Sequence, residues 1–107
     1  MRWINDGMPE VHLLREAIDT TIFHGALYPE VRTITHLHGG FTPPQFDGLP
    51  LAWSDPGAAE AGPDYNPDDF IYRNDQQACS LWYHDHAMAI TRLNVLCGAG
   101  GLLHHQG

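Results

Sequence analysis

The chain has 107 residues, 43% of them hydrophobic, with thirteen acids against five bases and a net charge of −8. All five bases are Arg and there is no Lys, so charge supports neither a grip on a phosphate backbone nor docking on an anionic membrane; no nucleic acid and no membrane are expected as partners. The length fits a single domain over residues 1–107, with a core small enough that metal, disulfide or self-association would matter to its stability.

In chain order, the first residues lack the continuous apolar stretch of a secretory signal, and nowhere does an apolar run approach the roughly 18 residues of a bilayer span. The compartment is left open. Residues 1–5 alternate, Trp3 and Asn5 against Ile4, and read as a short strand that turns at Asp6-Gly7-Met8-Pro9. Glu10 to Asp19 carries Leu14, Ala17 and Ile18 at helical spacing and predicts a short helix. Thr20 to Leu27 reads as loop or edge strand. Val31 to His38 is the clearest strand, its period of two placing Arg32, Ile34, His36 and His38 on one face before Gly39-Gly40 ends it. Phe41 to Asp69 holds six of the eight prolines and the acids Asp55, Glu60, Asp64, Asp68 and Asp69, which predicts a long polar excursion over the surface. Phe70–Arg73 and Cys79–His86 read as strands, Met88–Asn94 as a helical turn, and the glycine-rich stretch from Val95 to Leu103 as a last strand. Cys79 and Cys97 are too few for a disulfide framework and read as two buried thiols, with one bridge as the alternative.

Histidine is the unusual residue: there are eight, and four stand in two pairs, His36-Leu37-His38 and His84-Asp85-His86. On a strand, residues i and i+2 point the same way, so each pair presents two imidazoles to one side. A single such pair is more often a polar contact than a ligand set. Two pairs, each closing a strand-like run, point to metal held by four imidazoles or shared between two ions. No Cys flanks either pair, which excludes a Cys-rich structural zinc site, and no His-Glu-x-x-His spacing is present. All-imidazole ligation fits copper or a three-His zinc, and the chemistry alone leaves both open.

The flanking residues go further. Thr35-His36-Leu37-His38-Gly39-Gly40, followed by Thr42-Pro43, Asp47-Gly48-Leu49-Pro50 and Trp53, resembles the first copper motif of multicopper oxidases. Asn74, Gln76 and Ala78, then Leu81-Trp82-Tyr83-His84-Asp85-His86-Ala87-Met88 and Thr91-Arg92-Leu93-Asn94-Val95, resemble the second. The similarity is to the bacterial laccase branch that includes spore-coat laccases and bilirubin oxidases, and it runs in register from about Trp3 to Gly101. It implies an all-β, cupredoxin-like Greek-key sandwich, here incomplete, with long loops and one short helix. It also implies copper as cofactor, His36 as a type 2 copper ligand, and His38, His84 and His86 as type 3 ligands. Asp47 matches a carboxylate near the copper cluster that tunes protons on the oxygen path. Trp82 reads as core packing, Asp85 as either a second layer behind the ligands or a solvated turn residue. His12 and His24 read as solvated loop residues, His104 and His105 as a surface tail.

The sequence also departs from the family pattern. Of four copper motifs it has two, and the motif for the type 1 electron-entry copper is missing; neither Cys has a flanking histidine to replace it. The resemblance is to a truncated first domain. The leading reading is a laccase-like oxidoreductase module of low activity on its own, passing electrons from a phenolic or similar aromatic reductant to oxygen. The alternatives are a copper-holding fragment without catalysis and a structural zinc domain. Because the family's cluster lies between domains, a homo-oligomer that shares imidazoles is expected.

Overall fold

In the computed structural model, which describes residues 1–5, 8–22 and 27–106, the two histidine pairs fall on neighbouring strands. β1 (Thr35–His38) runs antiparallel to β2 (Cys79–Asp85), with Thr35 opposite Asp85, His36 opposite His84, Leu37 opposite Tyr83 and His38 opposite Trp82. A six-residue helix, α1 (Thr91–Leu96), then leads into β3 (Gly100–His105), which pairs with the other edge of β2 from Cys79 opposite His105 to His84 opposite Gly100. The order β1-β2-β3 is an all-β arrangement consistent with an incomplete cupredoxin-like fold. Among the described residues, no helix is long and apolar enough to cross a membrane.

The period of two explains the middle strand well. Leu81 is buried and Cys79 and Tyr83 half-buried, while Ser80 and Trp82 between them are exposed. It fails before β1. Val31, Arg32 and Ile34 are all buried, because the chain changes partner there: Thr33 exchanges backbone bonds with Ser54, and only from Thr35 onward does pairing pass to β2. Ile34 therefore joins the core instead of sharing a face with His36 and His38.

That core is Ile34, Ala52, Trp53, Phe70, Ala87 and Ile90, with Trp3, Ile18, Tyr28, Phe46 and Tyr72 packed against it. Two of its members come from the stretch expected to be a surface excursion. Residues 41–69 stay largely at the surface but dip into the core at Ala52 and Trp53, turning at Pro44–Phe46 and Pro56–Ala58 and bridging Ser54 to Thr33 on one side and Ala61 on the other. Proline density marked the turns but hid Ala52 and Trp53 between them. The expected helix at 10–19 is a single tight turn, Arg15–Ala17, since only Leu14 and Ile18 of its apolar set find cover. The expected strand at 70–73 is absent; Phe70 pairs with the backbone of Met1, and residues 1–5 keep their alternation in burial without forming a strand. The helical turn begins at Thr91 instead of Met88, and the last strand extends through His105. The Asp6-Gly7 part of the first turn, part of the 20–27 segment and His24 lie outside the described residues.

Gly48 fixes the loop after β1 against the sheet. Its φ is 70°, and a Cβ built there would stand 2.0 Å from the Thr35 carbonyl oxygen. Both the backbone conformation and the close approach require glycine. Gly48→Ala is expected to cost about 2–4 kcal/mol, combining left-handed strain with displacement of the loop. A denaturant midpoint within error of wild type would contradict this packing.

Candidate metal centre

The ladder between β1 and β2 sets His36 directly opposite His84, and His38 two residue pairs further along, opposite Trp82. Nitrogen atoms of His36, His38 and His84 all lie within 4.8 Å of one another, the one such group among the described residues. Nitrogens sharing one ion at about 2.0–2.1 Å can be no more than about 4.2 Å apart, so the trio sits at or close to chelating distance. The fourth imidazole, His86, lies just past the end of β2. Its ring stacks on His36 with centroids 4.9 Å apart, outside the close trio.

Backbone carbonyls set the tautomers. Nδ1–H of His36 donates to the Asp47 carbonyl at 2.6 Å, that of His84 to Asp85 at 2.7 Å, and that of His86 to Gly48 at 3.0 Å. A carbonyl can only accept, so in all three rings Nδ1 carries the proton and Nε2 keeps its lone pair. His38 turns the other way, its Nδ1 facing His84 Nε2 at 3.3 Å. Such hydrogen bonds behind an imidazole are what hold a ligand ring in one orientation. The Asp47 carboxylate also lies 3.2 Å from His36 Nδ1, so this residue meets the ring with both side chain and main chain. The same carboxylate acts at a distance on Tyr72, whose hydroxyl is pushed up mainly by burial, with the Trp3 N–H pulling it back.

Several flanking residues take up positions that differ from the sequence reading. Trp82 is not in the core: it is 39% exposed and packs, tilted, against His84 with ring centroids 4.2 Å apart and against His38 at 5.6 Å. Odd-numbered residues of β2 face the core side, which leaves Trp82 with the histidines. Asp85 is 2% exposed and is not a solvated turn residue. His12 is buried, its Nε2 bonded to Asn94 and its Nδ1 accepting from the Leu14 N–H, and it fastens the N-terminal loop to α1. His105 is likewise buried, bonded to the Gln76 carbonyl from within β3, while His104 is exposed opposite Ser80. Of the thiols, Cys79 is half-buried and Cys97 exposed, and both are free. Cys79 does meet a histidine, His105, but across the ladder and not in sequence. Cross-strand register was the signal that could have found it.

No protein-family profile matches the chain. It is 48% identical over 102 residues to a laccase of Bacillus stratosphericus, a match that covers 94% of the chain and 19% of the relative. Against a laccase of Bacillus subtilis (strain 168) it is 45% identical over 104 residues, covering 94% of the chain and 20% of the relative. Multicopper oxidase LPR1 of Arabidopsis thaliana matches at 40% over 111 residues, 96% of the chain and 18% of the relative. The chain thus spans about a fifth of the length of the curated relatives it matches. Copper is the metal that this kinship implies, and over the segment it covers the chain belongs to the multicopper oxidase family.

Proposed function

We propose that the chain is a copper-holding module of a laccase-like oxidoreductase, with His36, His38, His84 and His86 as its ligands. The observation that carries this reading is the arrangement of lone pairs. Three rings are locked with Nδ1–H on a carbonyl and the lone pair on Nε2, and nitrogens of His36, His38 and His84 come within 4.8 Å of one another. Neutral imidazoles without thiolate suit copper. Bound copper would supply one-electron chemistry, taking electrons from a phenolic or similar aromatic reductant toward oxygen. His36 follows the type 2 pattern, and the other three follow the type 3 pattern. The protein's part is to hold these rings, to let His38 move its proton from Nδ1 to Nε2 when a cation takes the place between His38 and His84, and to keep the Asp47 carboxylate beside His36. The alternative readings, copper held without turnover and a zinc site that only stabilises the fold, use the same four rings.

Metal analysis with electron paramagnetic resonance separates these readings. Copper with a type 2 signal is expected, and one zinc per chain after purification without added metal would overturn the proposal. Loss of rings gives a second test: His36→Ala and His84→Ala are expected to lower copper stoichiometry, while replacing exposed His104 leaves it unchanged. Equal copper content in all three variants would refute the ligand assignment. Oxidation of a chromogenic phenol no faster than by free copper would reduce the proposal to copper holding.

We further propose that copies of the chain share imidazoles. His38 and Trp82 are exposed on the histidine face, and Leu102 beside Trp82 is 86% exposed. β3 has no partner beyond β2 in the described sheet, and free edges invite pairing. Light scattering is expected to show a copper-dependent homo-oligomer. A monomer with and without copper, at high micromolar concentration, would overturn this.

A further inference from the structure

The Asp85 side chain lies buried between the two ligand strands and collects three hydrogen bonds from outside its own strand's ladder. Oδ1 accepts from the Thr33 hydroxyl at 2.6 Å and from the Ile34 N–H at 3.0 Å, both just ahead of β1. Oδ2 accepts from the Ala87 N–H at 3.0 Å, two residues on. This last bond closes an Asx turn around His86. β2 ends at Asp85, yet the His86 N–H still reaches the Ile34 carbonyl at 2.9 Å, and its ring still meets the Gly48 carbonyl. The ladder has stopped at this point, so something else must keep the chain aligned for one more residue. The one carboxylate joins Ile34 to Ala87 on either side of His86's own backbone bond. His36 and His84 need no such help, since they face each other within the paired strands.

We propose that Asp85 is a positioning residue for His86, holding that ring in the Nδ1–H tautomer and against the site by an Asx turn. The claim rests on the copper reading only where affinity is measured; the ring's orientation can be tested without metal. Three carboxylate bonds at a fully buried group also explain why a charged residue stands between two ligands. Its negative charge is opposed by the Arg32 guanidinium, with which it interacts electrostatically.

The test uses Asp85→Asn, which keeps the side chain's volume. Its carbonyl oxygen can go on accepting from Thr33 and Ile34, while its amide would face the Ala87 N–H donor to donor. In metal-free protein, at a pH where the imidazoles are neutral, long-range proton–nitrogen spectra of the rings report each tautomer. Wild type is expected to show His86 as a single Nδ1–H form. In Asp85→Asn, His86 should become a mixture of tautomers while His36 and His84 stay as they were, and Cu(II) affinity should fall about 10–100-fold. An ester in place of the Ala87 amide removes that N–H alone and should loosen His86 in the same way, which covers the case of an Asp85→Asn chain that does not fold. Thr33→Val, which leaves the Ala87 bond, should not. The proposal is overturned if His86 keeps its single tautomer in either folded variant, or if all the rings change together as general loosening would produce. Should neither wild type nor variant bind Cu(II), the copper reading fails and the ring spectra still decide the role of Asp85.

Discussion

Cu(II) at about a hundred times its dissociation constant is expected to raise the melting temperature by roughly 11–22 °C. A ligand that binds only the folded state adds about 2.7 kcal/mol under those conditions, and each kcal/mol shifts a chain of this size by roughly 4–8 °C. The unfolded chain offers its eight imidazoles without fixed geometry, whereas the folded one has brought nitrogens of three of them within 4.8 Å and fixed His36, His84 and His86 with carbonyls. Scanning calorimetry with copper and then with excess chelator measures the difference. Identical melting with and without chelator would show that the strands do not form a metal site.

Removing Arg32 should do the reverse and take away a large part of the chain's stability. The side chain is 1% exposed, donates to the carbonyls of Pro29 and Met88 at 2.8 Å each, and lies over the Tyr28 ring. Burial pulls its guanidinium below the usual range, and the Asp85 carboxylate opposes that pull. Arg32→Ala strips two half-buried carbonyls of their donors and Asp85 of its counter-charge. Breaking such a buried arrangement from one side costs about 3–5 kcal/mol, against a total stability of about 5–15 kcal/mol that sits low in a small domain. Arg32→Met, which restores volume but not charge, should recover only part of the loss. Urea unfolding measures both, and an Arg32→Ala midpoint near wild type would contradict the role given to this residue.

The histidine strands were legible because a local rule governs them. Between Thr35 and His38, and between Cys79 and Asp85, each residue's direction follows from its neighbours, and the motif spacing supplied the rest. Residues whose place depends on distant partners were not legible. Arg32 reads as one more member of the histidine face until Met88 is folded onto it, and His12 as a loop histidine until Asn94 arrives 82 positions later. Ala52 and Trp53 sit among turn-forming residues whose composition spoke for a surface path. The expectation that Trp82 packs in the core erred differently: its position two residues before His84 already placed it on the histidine face.

That placement of Trp82 has an optical consequence. Its indole lies 4.2 Å from the ring of His84, while the other two tryptophans, Trp3 and Trp53, pack against tyrosines. Excited indole in contact with a ligand ring is well placed for quenching by a paramagnetic ion, so the protein carries a fluorophore within one imidazole of its proposed metal. A single-tryptophan variant retaining Trp82 would report occupancy by emission alone, in real time and at concentrations far below those that calorimetry or resonance methods require.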